Sequence, residues 1–170
     1  MNIALIGYRG TGKSHVGRLL AKQLNMPYVS LDKAIADRAG MTIPQIVEKS
    51  GWSDFRDKET FEVRQVAGRD GLVIDTGGGV IERPENIELL RPSCRIIWLQ
   101  ASVPVIVARI GGDDGRPALT AGKTFTEEVA EVLDRRTPLY EAAAELIIET
   151  DHLTPEEIAA RIVVFIKNML

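Results

Sequence analysis

The chain has 170 residues, 45% of them hydrophobic and 26% charged, an ordinary globular balance with room for a full core in one domain. Its formal net charge of −3 argues against a basic nucleic-acid footprint over the whole chain, and no apolar run approaches the ~18–20 residues of a membrane span. Cys94 is the only cysteine, so no internal disulfide can form, which fits a reducing compartment; with neither a basic segment nor a small-residue cleavage site at the N-terminus, no signal peptide is expected.

The first element is a short apolar run, Ile3-Ala4-Leu5-Ile6, which reads as a buried strand. Gly7-Tyr8-Arg9-Gly10-Thr11-Gly12-Lys13-Ser14 follows and fits the phosphate-loop pattern G-x-x-x-x-G-K-[ST] at every fixed position. Val16, Leu19, Leu20 and Leu24, spaced by three and four, then give the helix that such a loop opens. Glycines let the backbone wrap so that several N–H groups point at one anion, and the helix adds its positive dipole end to the same point. In this pattern Lys13 reaches the β- and γ-phosphates of a nucleotide and the Ser14 hydroxyl binds Mg²⁺.

Pro27-Tyr28-Val29-Ser30 reads as a second strand, with Leu31 and Asp32 at its carboxyl end and a helix from Lys33 to Ala39 stopped by Gly40. Thr42-Ile43-Pro44-Gln45 is a capping-box start for a helix ending near Gly51, and Trp52 to Ala67 is a longer, strongly charged helix. Leu72 to Asp75 is a third strand, followed directly by Thr76-Gly77-Gly78-Gly79; Pro84 to Leu90 is a short helix, Arg95 to Leu99 a fourth strand, and Ser102 caps a helix through Ile110. The polar, glycine-rich stretch Gly111-Gly112-Asp113-Asp114-Gly115-Arg116-Pro117, with Gly122 beyond it, reads as a mobile flap. Thr124 to Glu127 caps a helix that carries Arg135 and Arg136 towards its end. Leu146-Ile147-Ile148 is a fifth strand, and Thr154-Pro155-Glu156-Glu157 starts the final helix. Strands alternating with helices imply a parallel sheet covered on both faces, with ligands bound outside the carboxyl ends of the strands. The phosphate loop, Ser30 and Asp32, the glycine run and Gln100-Ala101 all fall there, and the helical insertion at about 33–66 is the place for a second substrate.

These features together resemble the shikimate kinase family, P-loop kinases of the nucleoside-monophosphate-kinase type. The resemblance spans essentially the whole chain and rests on the phosphate loop, Asp32, Phe55-Arg56 with Glu59, Gly77-Gly78-Gly79, Arg116-Pro117 and Arg136-Thr137-Pro138-Leu139-Tyr140. It implies one P-loop kinase domain over 1–170: a three-layer α/β/α sandwich on a five-stranded parallel sheet of order 2-3-1-4-5, a substrate-binding insertion at about 33–66 and a lid at about 111–123. It implies transfer of the γ-phosphoryl of ATP to the 3-hydroxyl of shikimate, in the pathway to chorismate and aromatic amino acids. ATP is then the co-substrate, with one Mg²⁺ ion per subunit, in a cytoplasmic monomer with no nucleic-acid or membrane partner.

Arg56 and Arg136 match the family's carboxylate-binding arginines, and a guanidinium can give a carboxylate two parallel hydrogen bonds. Asp32 matches the aspartate that binds the ring hydroxyls, where it can orient the attacking hydroxyl and accept its proton; a helix N-cap role is compatible with that. Gly77, Gly78 and Gly79 let the main chain approach the substrate ring, and Glu59, three residues after Arg56, is expected to pair with it. Arg116 matches the flap arginine that closes over the phosphates beside Lys13, and closure also excludes water. Gly10, Thr11, Gly12, Lys13, Ser14 and His15 are expected around the phosphates, and Arg109 and Pro155 around the adenine.

The chain also departs from the family's pattern. Most members carry Asp-x-Asp after the second strand, the first aspartate helping to hold Mg²⁺; here the triplet is Ser30-Leu31-Asp32. Ile74-Asp75-Thr76 ends the third strand as a Walker-B element would, so either Asp75 has taken over the metal, or it caps the glycine turn while Ser30 acts through water. His15 stands where relatives usually have threonine and reads as structural; Leu153 stands where the family often has an arginine near the adenine. The alternative readings are a same-fold kinase of another small hydroxy acid, such as gluconate, and a nucleotide-binding module without transfer.

Overall fold

The computed structural model describes residues 1–111, 119 and 121–169. Five strands, β1 (Asn2–Ile6), β2 (Tyr28–Ser30), β3 (Val73–Asp75), β4 (Cys94–Gln100) and β5 (Leu146–Glu149), form one sheet in the order β2-β3-β1-β4-β5. Every pairing is parallel, so each connection crosses over through at least one helix. Among the described residues the helices are α1 (Lys13–Leu24), α2 (Leu31–Ala39), α3 (Ile43–Ala67), α4 (Pro84–Leu90), α5 (Val103–Ile110), α6 (Phe125–Ala143) and α7 (Pro155–Lys167), with a short 3-10 turn at Val80–Glu82. None of them is long and apolar enough to cross a membrane.

The period of two along β1 sorts its side chains between the layers. Ile3 and Leu5 join Val73, Ile97 and Leu99 under α1 and α7. Ala4 and Ile6 join Ile74, Ile96 and Trp98 under α3, α4 and α6. A strand covered on both faces needs apolar residues at every position, which explains the unbroken run Ile3 to Ile6 at 0% exposure.

Two local details, at α2 and α6, depart from the sequence reading. Helix α2 begins at Leu31 rather than Lys33, because the Ser30 side chain accepts the Lys33 N–H at 3.3 Å and is the N-cap. Asp32 therefore lies inside the first turn and does not cap the helix; an acid there still meets the positive dipole end. The two helices expected on either side of Gly51 are both present and meet there at a kink (φ 81, ψ 173); they are labelled together as α3. Helix α6 continues through Pro138 to Ala143, so Arg136 stands in its body and not at its end.

Candidate active site

The phosphate loop lies between β1 and α1, at the carboxyl edge of the central strand. Gly12 precedes α1 at φ 92, a left-handed conformation costly for a side-chain-bearing residue. Lys13 is 7% exposed, and its ammonium donates to the carbonyls of Gly7 at 2.6 Å and Tyr8 at 3.0 Å, which holds the cation across its own loop. Thr11 Oγ1 donates to the Tyr8 carbonyl at 2.9 Å. Gly10, Gly12, Lys13, Ser14 and His15 line one open cleft, with His15 itself exposed at its rim. From α5, Arg109 donates to the Gly10 carbonyl at 3.1 Å and to Thr150 Oγ1 and O, each at 3.4 Å. Its guanidinium thus ties the phosphate loop to the segment leading from β5 into α7, whose first residue is Pro155.

Asp75 ends β3 and is 5% exposed. Its Oδ2 accepts the Ser14 hydroxyl at 2.6 Å and the Tyr28 hydroxyl at 2.7 Å. The parallel register sets Ser30 on β2 directly beside Asp75 on β3. The carboxylate thus stands one strand over from position 30, whose own hydroxyl is committed to capping α2. Burial, with Asp75 adding to it, pushes the Tyr28 phenol up to about 12.

The second pocket is walled by Asp32, Trp52, Arg56, Gly79, Tyr8 and Arg136. Arg56 donates to Glu59 Oε1 at 2.8 Å within the same helix. Glu59 is fully buried: burial pushes its carboxyl up, Arg56 opposes that, and Asp32 adds to it. Arg136, 3% exposed, donates through Nε to Glu82 Oε1 at 2.7 Å, and Arg135 reaches the same oxygen at 2.8 Å. Burial raises Glu82, but the hydrogen bonds and charges of Arg136 and Arg135 outweigh it and hold the carboxyl below its ordinary value. The Arg136 guanidinium also lies 5.7 Å from the Tyr8 ring centroid.

The glycine run is the floor of this pocket. A Cβ on Gly79 would come within 2.2 Å of Arg56 Nη2, and one on Gly77 within 2.8 Å of Glu59 Oε2 and 2.9 Å of Asp32 Oδ1. The Tyr140 hydroxyl donates to the Gly78 carbonyl, and its ring stacks on Trp98 at 5.5 Å. Close approach of charged side chains to the main chain is therefore what favours glycine at positions 77 and 79, whereas a Cβ at Gly78 would meet nothing nearer than the Arg9 backbone nitrogen at 3.4 Å.

Arg9, Asp32, Gly77 and Gly78 line both this pocket and the phosphate cleft, so the two adjoin along one wall. Of the sequence-predicted residues, Lys13, Ser14, Asp75 and Asp32 meet in the cleft, and Asp32, Arg56, the three glycines and Arg136 in the pocket. Arg116 and Pro117 lie outside the described residues; Leu119, beyond them, lines the pocket. Sequence reasoning missed Glu82, Tyr28, Tyr8 and Arg9. The last two sit inside the phosphate-loop pattern at its variable positions, and no spacing rule links Glu82 to Arg136 or Tyr28 to Asp75.

A family model described as shikimate kinase matches residues 9–167. A shikimate kinase of Thermodesulfovibrio yellowstonii is 42% identical over 162 residues, 95% of this chain and 92% of its own. One of Pseudomonas savastanoi pv. phaseolicola is 40% identical over 161 residues, 95% of this chain and 93% of its own. Among solved structures, the shikimate kinase from Acinetobacter baumannii in complex with shikimate superposes with a TM-score of 0.94 at 34% identity, covering 99% of this chain and 94% of that one.

Proposed function

The chain belongs to the shikimate kinase family, and we propose how its own residues carry the phosphorylation of shikimate by ATP. The observation that carries the assignment is the junction of the two pockets at Asp32: a cation-lined phosphate cleft adjoins a pocket whose wall carries Arg9, Arg56 and Arg136. Arg56 and Arg136 hold the shikimate carboxylate; their pairing with Glu59 and Glu82 fixes them before substrate arrives. The glycine floor admits the ring, and Asp32 orients the 3-hydroxyl toward the cleft. As the 3-oxygen bonds to the γ-phosphorus and the bond to the ADP oxygen breaks, the hydroxyl proton passes to the Asp32 carboxylate. Lys13 lies against the β- and γ-phosphates, where it offsets charge on the transferring group.

For Mg²⁺ the donor set fits. Among the described residues no cluster of three or more histidines, cysteines or acids exists to cage an ion. One hydroxyl, Ser14, and one carboxylate, Asp75, stand together at the cleft, as suits an ion that keeps waters and phosphate oxygens for its remaining positions. When bound, Mg²⁺ neutralises charge on the β- and γ-phosphates. In this reading Asp75 does the work that an aspartate at position 30 would otherwise do. Arg109 and Pro155 flank the adenine, Thr11 and His15 border the phosphates, and the insertion at about 33–66 holds shikimate; the lid expected at about 111–123, with Arg116, falls largely outside the described residues. The protein acts as a cytoplasmic monomer.

Release of ADP, followed with and without shikimate and with gluconate as a competing acceptor, tests the assignment. Shikimate-dependent release is expected, and Asp32→Asn should lower kcat about 10²- to 10⁴-fold with nucleotide affinity retained. Release that ignores shikimate, or that prefers gluconate, would refute it.

A further inference from the structure

The Tyr28 hydroxyl has no part in the chemistry just described, yet it points at the one carboxylate assigned to the metal. Tyr28 and Ser14 both bond Asp75 through the same oxygen, Oδ2, at 2.7 and 2.6 Å. An ionised carboxylate only accepts, so both hydroxyls must donate. The consequence for Ser14 is directional: with its hydrogen turned to Asp75, its lone pairs are left for a cation. The consequence for Asp75 is that Oδ2 is fully engaged and Oδ1 is left to receive a metal-bound water.

The Tyr28 ring is held for this purpose from two sides. A Cβ at position 17 would come within 2.9 Å of its Cε2, so glycine in α1 makes room for it. The Arg18 guanidinium lies 5.3 Å from the ring centroid. On β2, Tyr28 and Ser30 are two residues apart and share a face, and β2 is paired with β3 in a register that sets Ser30 beside Asp75. The phenol thus reaches Asp75 from the strand that carries the missing acid's position.

We infer that Tyr28 is a positioning residue of the metal-binding arm: its hydroxyl pins the Asp75 carboxylate so that Asp75 orients the Ser14 hydroxyl for Mg²⁺. The inference rests on the assignment of Asp75 to the metal, and the test separates the two. ADP affinity is measured by calorimetry on the full chain, with and without Mg²⁺, for the parent, Tyr28→Phe, Asp75→Asn and the double variant, alongside the Mg²⁺ concentration for half-maximal turnover. A hydrogen bond to a charged group is worth enough that Tyr28→Phe should reduce the Mg²⁺-dependent gain in ADP affinity about five- to ten-fold, while metal-free ADP affinity changes by less than about two-fold. It should raise the half-maximal Mg²⁺ concentration by a similar factor, with the KM for shikimate unmoved. Asp75→Asn should abolish most of the Mg²⁺-dependent gain, and adding Tyr28→Phe to it should change that gain no further, because the charged carboxylate that Tyr28 positions for the metal is gone even though the amide oxygen can still accept its hydroxyl.

If Asp75→Asn loses the gain and Tyr28→Phe keeps it, the positioning role is wrong and the metal assignment stands. If Asp75→Asn also keeps it, the metal assignment falls and this inference with it. If Tyr28→Phe weakens ADP equally with and without metal, Tyr28 is a packing residue and the inference is overturned. The cycle with Asp75→Asn cancels any loss of packing that the two backgrounds share, so a destabilised Tyr28→Phe protein still gives an answer.

Discussion

At the scale of single residues, the side chains that grip are themselves gripped. Arg136 is almost fully buried, and a guanidinium cannot shed its charge, so it needs a counter-charge before any substrate arrives. Glu82 supplies it at 2.7 Å. Replacing Glu82 by Gln leaves an acceptor but removes the charge, and Arg136 should then hold its place less firmly. The expected result is a KM for shikimate raised about five- to ten-fold with kcat little changed, the mark of lost substrate binding rather than lost transition-state contact. Stability should follow suit with a defined pH dependence. The folded-state value of Glu82 is depressed below its ordinary 4.5, so its contribution is present above that value and lost as pH falls through the depressed one. Urea unfolding should therefore show Glu82→Gln about 1–2 kcal/mol less stable than the parent near neutrality, with the gap closing in acid. An unchanged gap at low pH would mean that the pair does not act through charge. At this scale the sequence was partly legible. Lys13, Ser14, Asp32 and Arg56 stand at fixed offsets in local motifs, whereas Glu82 and Arg136 are far apart in the chain and meet only because α6 packs on the turn after β3.

At the scale of elements, local chemistry was the most legible part. The capping boxes at Thr42/Gln45, Thr124/Glu127 and Thr154/Glu157 are all formed, because the donor and acceptor of each lie within one helical turn. The start of α2 was not legible, since Ser30 and Asp32 are both good caps and only the fold decides which is used. Gly51 was read as a stop, and it does interrupt the helical backbone between the two parts of α3, at φ 81 and ψ 173, a region open to glycine almost alone. No neighbouring atom lies within 4 Å of a Cβ built there, so the cost of Gly51→Ala is purely in the backbone, about 1–3 kcal/mol. The kink also aims Trp52, which meets Phe55 edge-on at 5.6 Å and lies 5.4 Å from the Arg56 guanidinium in the substrate pocket. Gly51→Ala should thus lower the thermal midpoint and raise the KM for shikimate together. Gly40→Ala is the control: it also has a positive φ, 64 with ψ 23, in the milder left-handed region at the C-cap of α2, with open space around it and no part in lining the pocket. It should cost stability alone; a KM effect from Gly40→Ala as large as that from Gly51→Ala would remove the kink's role in placing Trp52.

At the scale of the whole molecule, the parallel sheet brings ligand-binding loops from separate parts of the chain to one edge, and the two pockets share Arg9, Asp32, Gly77 and Gly78. That shared edge was legible from the alternation of strands and helices; that Arg9, Asp32, Gly77 and Gly78 line both pockets was not, because it depends on how the loops after β1, β2 and β3 come together. A shared wall has a thermodynamic consequence. A nucleotide that fixes these four residues leaves less to be ordered when shikimate binds, so the second ligand should bind more tightly than the first alone would suggest. Linkage requires the gain to be reciprocal: whatever factor ADP adds to shikimate affinity, shikimate must add to ADP affinity. A coupling of about 1–3 kcal/mol, roughly 5- to 150-fold, is the expected size. Calorimetric titration in both orders measures it directly. The Arg9 guanidinium lies 5.6 Å from the Phe125 ring centroid, which ties the shared wall to the start of α6. Arg9→Ala should therefore shrink the coupling more than it weakens either ligand alone. Equal shikimate affinity with and without ADP in the parent protein would mean that the pockets adjoin without communicating, and that Asp32 faces both without transmitting between them.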